Sequence, residues 1–112
     1  MQQRTRTRRQ TLRDRARTTR ANARIHRRGN ASLATYGIAQ GLRPTDARSM
    51  VGTLRREIKK LGIDGIEERV HAGRRMRTTL RYTPAEVARA AANYRPRKAA
   101  FKAAAARLAL AA

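Results

Sequence analysis

Acidic residues are scarce in this chain: seven Asp and Glu stand against 28 Lys and Arg in 112 residues, a formal net charge of +21. So one-signed a field repels cationic ligands and attracts polyanions. Cysteine is absent, which excludes disulfides and thiolate metal sites and fits a reducing cytoplasm. Tryptophan is absent and aromatics make up 4%, so the folded core is expected to be small. No apolar run approaches the length that crosses a bilayer, and no membrane partner is expected. The Arg-rich, acid-poor start has the composition of a mitochondrial transit peptide but lacks the bulky apolar face such a peptide needs.

Catalytic constellations are missing as well. His26 and His71 are the only histidines, and neither has metal-ligand spacing. Glu67 and Glu68 are adjacent, so a strand would point them to opposite faces, a poor geometry for paired acid/base work. No P-loop, nucleophile elbow or dinucleotide fingerprint occurs. The sequence therefore leads to a non-enzyme with no cofactor and no metal.

What the chain has in excess is arginine. Only Lys59, Lys60, Lys98 and Lys102 are lysines, leaving 24 arginines. The planar guanidinium fork binds phosphate oxygens bidentately and stacks on bases, which a lysine ammonium does not. Double-stranded DNA is the leading partner and RNA the second.

Three zones follow. Residues 1–28 hold eleven arginines against one acid, Asp14, with Leu12 and Ile25 their only large aliphatics after Met1. That is too little apolar surface to offset ordering entropy, so an arm is expected that stays disordered or becomes helical on binding. Arg4, Arg6, Arg8, Arg9, Arg13, Arg17, Arg20, Arg24, Arg27 and Arg28 are its candidate phosphate ligands. Residues 29–95 carry globular patterning, and 96–112 form an Ala-rich tail. Alanine favours helix there, and the tail is expected to be a frayed helix without contacts, or a segment that could pair two copies as a homodimer.

Within the middle zone Leu33, Tyr36 and Leu42 mark a short helical segment broken by Gly37 and Gly41. The spacing of Ala47, Met50, Val51, Leu54, Ile58 and Leu61 predicts an amphipathic helix over Thr45–Leu61, with Thr45 as N-cap and Gly62 as the stop. After Asp64-Gly65 the period becomes two. Ile66, Glu68 and Val70 alternate with Glu67, Arg69 and His71; Met76, Thr78, Leu80 and Tyr82 alternate with Arg75, Arg77, Thr79 and Arg81. A hairpin turning at Ala72-Gly73 is predicted, with one buried face and one basic face. Thr83-Pro84-Ala85-Glu86 then reads as a capping box opening a helix to about Tyr94.

The run Leu33-Ala34-Thr35-Tyr36-Gly37-Ile38-Ala39-Gln40-Gly41-Leu42-Arg43-Pro44-Thr45-Asp46-Ala47-Arg48-Ser49-Met50-Val51, followed by a basic hairpin, resembles the winged helix-turn-helix family of DNA-binding domains. Gly37 supplies the small residue within the first helix. Gly41-Leu42 supplies the turn, and Ala47, Met50 and Val51 the buried positions of the second helix. Gln40 departs from the pattern, standing where an apolar residue is usual. The resemblance covers about Ala31 to Thr83. It implies a mainly α fold with one β-hairpin (α+β): a winged helix-turn-helix flanked by the basic arm and the alanine-rich helix.

It also implies a transcription regulator or an architectural, nucleoid-associated factor; small size and the lack of a sensor domain fit a phage or mobile element. On this reading Thr45, Arg48, Ser49, Gly52, Arg55, Arg56 and Lys59 form the DNA-facing side of a recognition helix. Arg74, Arg75, Arg77 and Arg81 arm the wing. The alternative is an RNA-binding protein or ribonucleoprotein component acting through residues 4–28, whose composition is similar to the arginine-rich peptides of antitermination proteins.

Overall fold

The computed structural model describes residues 2–110: five helices and one two-stranded antiparallel hairpin. The elements run α1 (Gln2–Arg28), α2 (Leu33–Ala39), α3 (Pro44–Lys60), β1 (Ile66–Ala72), β2 (Arg75–Arg81), α4 (Pro84–Ala92) and α5 (Ala99–Leu110).

α3 is where the periodicity puts it, one residue earlier at each end. Ala47, Met50, Leu54 and Ile58 are buried, and Val51 packs half-buried against the core. Thr45 is not the N-cap. Arg43 holds that position without a side-chain cap, because Pro44 takes the first helical site, where its missing N–H costs nothing. Asp46 still lies in the first turn, where a negative charge complements the helix dipole. Ahead of α3, Gly41 (φ 89°) closes α2 in a left-handed turn: its N–H donates to the Ile38 carbonyl and the Leu42 N–H to Gly37. α2 and α3 then cross so closely that a Cβ on Gly37 would lie 2.9 Å from the Ala47 Cβ.

α1 is a continuous helix over Gln2–Arg28. Like-charged neighbours four apart, such as Arg9 and Arg13 or Arg20 and Arg24, each oppose it by ~0.2–0.5 kcal/mol. Docking offsets that repulsion. Ala21 is buried, Ile25 joins the core, the Thr18 hydroxyl donates to the Ile38 carbonyl (3.2 Å) and Asn22 Nδ2 donates to Ala39 (3.1 Å). Those carbonyls belong to the C-terminal end of α2, which lacks intrahelical partners.

The alanine-rich tail is likewise not frayed. Phe101, Ala104, Ala105 and Leu108 recur at helical spacing and are buried, with α5 packed on α4; small alanine side chains permit the close approach. Arg107 reaches back to the α2–α3 turn. Its Nε donates to Gln40 Oε1 at 2.9 Å and its Nη2 to the Gln40 carbonyl at 2.8 Å. That contact gives the polar residue at position 40 a structural reason, and it sets a cation at the negative end of α2.

α4 opens with the anticipated capping box, Thr83 with Glu86, and ends at Ala92, two residues before Tyr94, with Asn93 as its C-cap. Among the described residues no helix is long and apolar enough to cross a membrane, and no group of three metal-ligating side chains occurs.

Two glycines should respond oppositely to the same substitution. Gly37→Ala drives a methyl into Ala47 and should lower stability by about 1–3 kcal/mol. Gly52→Ala meets nothing within 4 Å and removes a weak helix former, so it should raise stability by up to ~1 kcal/mol. Urea unfolding midpoints of the two variants against wild type check this.

Candidate functional site

The outward side of α3 gathers the residues that the sequence singled out. Projected at about 100° per residue, Thr45, Arg48, Ser49, Gly52, Arg55, Arg56 and Lys59 fall within roughly 120° of one another, opposite the buried stripe. All seven are exposed. Four of them are cations, and none is an acid. The two acids of α3, Asp46 and Glu57, stand on its flank, Glu57 pairing with Lys60 at 3.6 Å. The Ser49 hydroxyl donates to the Thr45 carbonyl at 3.2 Å, which holds its oxygen near the start of the helix.

The hairpin departs from expectation. Its loop is Gly73-Arg74, with Gly73 at φ 68° and Ala72 paired to Arg75; Gly at the first loop position with positive φ suits a two-residue hairpin turn. A two-residue loop opposes even-numbered positions of β1 to odd-numbered positions of β2. Ile66, Glu68 and Val70 therefore share a face with Arg77, Thr79 and Arg81, while Met76, Thr78 and Leu80 share the other with Glu67, Arg69 and His71. Apolar alternation on the two strands would coincide on one face only with a loop of odd length. There is accordingly no buried apolar face: Ile66 is 49% exposed, Met76 42% and Leu80 41%.

Arg81 is corrected as well. It is half-buried and ion-paired with Glu68, which also takes Arg28 of α1 at 3.3 Å. Glu68 thus joins α1 to the hairpin. Arg74, Arg75 and Arg77 remain exposed at and beside the tip.

Backbone pairing also fixes the hairpin to the body. Tyr82 follows β2 and exchanges both backbone hydrogen bonds with Ala31 (3.1 and 2.9 Å). Its carbonyl also accepts the buried Tyr36 hydroxyl at 2.5 Å. Between hairpin and α3 runs a groove whose walls include Val51 and Arg55 on one side and Thr78 and Leu80 on the other, with Ala34 of α2 at one end. Arg55 thus faces the hairpin as well as the open side of α3. The basic helix and the basic finger stand side by side, and neither covers the other.

Of the arm, Arg4, Arg6, Arg8, Arg9, Arg13, Arg20, Arg24, Arg27 and Arg28 are exposed. Arg17 is half-buried and bound to Asp14 at 3.3 Å. Sequence reasoning missed Arg43, exposed just before α3, and Arg69, exposed on the hairpin face opposite Arg77. It also missed the angular order of the α1 arginines, which any helical projection of residues 2–28 exposes. The Arg107–Gln40 contact spans 67 positions and leaves no local signal.

No protein-family model, no characterised protein and no solved structure matches this chain. The site is thus read from its own chemistry.

The titratable groups of note support the scaffold. Burial pushes the Tyr36 phenol up to about 12, with the Glu86 carboxylate adding to the shift. Burial also raises Tyr82, with Arg55 opposing and Glu86 adding, and raises Tyr94 against a Thr53 hydrogen bond. Folding therefore favours the neutral phenols. The stability they carry is complete below pH 10 and is lost as pH rises from 10 towards 12. A phenolate absorbance titration should show all three tyrosines ionising above the free value of 10, Tyr36 last, with folding lost over the same range.

Proposed function

We propose that the protein binds duplex DNA as a winged helix-turn-helix, with α3 as the recognition helix and the β1–β2 hairpin as the wing. The observation that carries this reading is the outward side of α3: seven exposed residues, four cations and no acid, flush with a groove to an arginine-tipped hairpin. An ordinary solvated helix mixes both signs on its open face. This one keeps its acids on the flank. A rod about 10–12 Å across fits the major groove, and its first turns carry Thr45, Arg48 and Ser49.

The roles then divide by chemistry. Arg48 pairs with a guanine edge, and Thr45 and Ser49 make adaptable base or phosphate contacts. Arg55, Arg56 and Lys59, further along the helix, take phosphates. Arg74 at the loop and Arg75 and Arg77 beside it enter or line a neighbouring groove, where narrow minor-groove segments concentrate negative potential. Arg81 is given no DNA contact, being occupied by Glu68. The same field yields steep salt dependence, with log K falling by about 0.9 per phosphate neutralised for each decade of salt. Whether such a protein regulates transcription or shapes a nucleoid follows from how selective α3 is. The proposal includes both outcomes.

In vitro selection from random duplexes separates reading from sticking. Arg48→Ala should erase a guanine preference that contributes about 1–3 kcal/mol at one position. Arg56→Ala should weaken all sequences alike and lower the salt slope by about 1. Equal losses on every sequence from both variants would remove α3 as the reading element.

A further inference from the structure

The arginines of α1 are ordered in a way that composition does not require. Projected along the helix, Arg6, Arg9, Arg13, Arg20, Arg24 and Arg27 fall within about 60° of one another, at steps of three, four or seven. They make one straight cationic stripe roughly 32 Å long. All six are exposed, and among the described residues none is ion-paired. The two arginines that do find carboxylates, Arg17 with Asp14 and Arg28 with Glu68, sit at the edge of the stripe. Like charges stacked in register repel, so a free helix gains nothing from this alignment.

The stripe and the proposed DNA face both belong to elements that border α2. α2 lies between them, and Leu33, Tyr36, Gly37 and Ala39 are buried. Its outward arc consists of Ala34, Ile38 and Thr35, spanning about 100° in that order. The Ala34 edge borders the groove shared by α3 and the hairpin. The Thr35 and Ile38 edge borders a second groove, walled by Arg17, Arg20 and Arg24 of α1. One helix arc thus separates two arginine-lined grooves.

We infer that α1 lies along the phosphates of the duplex segment next to the one read by α3, extending the site by about one helical turn. This rests on the duplex-binding reading above. The stripe length is close to one turn of B-form DNA, about 34–36 Å. Straight spacing of guanidinium groups suits a repeating anionic edge rather than a compact anion. The ligand is therefore duplex backbone, and the contribution to affinity is the same for every sequence.

The test uses the full chain carrying Arg9→Gln, Arg13→Gln, Arg20→Gln and Arg24→Gln together; glutamine is a good helix former, and circular dichroism checks that α1 persists. A charge-matched control carries Arg89→Gln, Arg97→Gln, Lys98→Gln and Lys102→Gln on and around α4 and α5. Hydroxyl-radical footprints and salt titrations are recorded on one selected duplex, with an RNA hairpin in parallel. The stripe variant should lose about one turn of footprint on one flank and about 3 to 4 in salt slope, a roughly thousandfold loss near 0.1 M salt. Its sequence preference should stay intact, and the control should keep the full footprint. An unchanged footprint with a slope loss no greater than the control's overturns the inference and leaves the α3 reading standing. Loss of the RNA hairpin alone assigns the stripe to RNA and likewise overturns it. A wild-type chain that binds no duplex overturns both.

Discussion

Tyr82 is the point on which the arrangement of this molecule depends. Its backbone closes the bridge to Ala31, its carbonyl accepts the Tyr36 hydroxyl, and Thr83 next to it caps α4. Four parts of the chain converge there: the linker after α1, helix α2, the end of the hairpin and the start of α4. The core has few aromatic residues, so an anchored backbone substitutes for bulk. Without that anchor a two-stranded hairpin with both faces largely exposed would have little to hold it beside α3, since isolated hairpins are marginal in water. The groove between finger and rod is a consequence of this junction.

Charge supplies the second constraint. Most of the seven acids serve the fold: Asp14 holds Arg17, Glu57 holds Lys60, Glu68 binds both Arg28 and Arg81, Glu86 closes the α4 cap and Asp46 faces the α3 dipole. The cations on the open side of α3, at the hairpin tip and in the α1 stripe from Arg6 to Arg27 are left uncompensated. Such a surface lowers the stability of the compact state by self-repulsion and gains when a polyanion covers it. Structure and proposed function thus draw on one asymmetry: acids positioned as internal fasteners, arginines facing out.

How much of this the sequence displayed varies element by element. α3 was legible because six apolar residues share one stripe, and α4 because Thr83, Pro84 and Glu86 spell its start. The exposure of all seven α3 site residues follows directly from that stripe. The hairpin was legible as two strands, but its faces were not. Alternation along each strand says nothing about how the strands combine until loop parity is known, and Gly73-Arg74 made it even. Arg81 was misassigned for that reason.

The two ends were less legible because their order comes from distant partners. α1 has almost no apolar face of its own; Thr18 and Asn22 fasten it to α2 carbonyls about 20 residues away. α5 is ambiguous because alanine serves equally on a surface and in a close helix contact.

Backbone amide shifts of the full chain during titration with duplex DNA locate the surface that meets the double helix. The largest changes are expected at Arg48, Ser49 and Gly52 on α3 and at Gly73 and Arg74 on the hairpin, with α4 and α5 nearly still. Changes spread evenly over every arginine-bearing segment, or confined to α4 and α5, would contradict it.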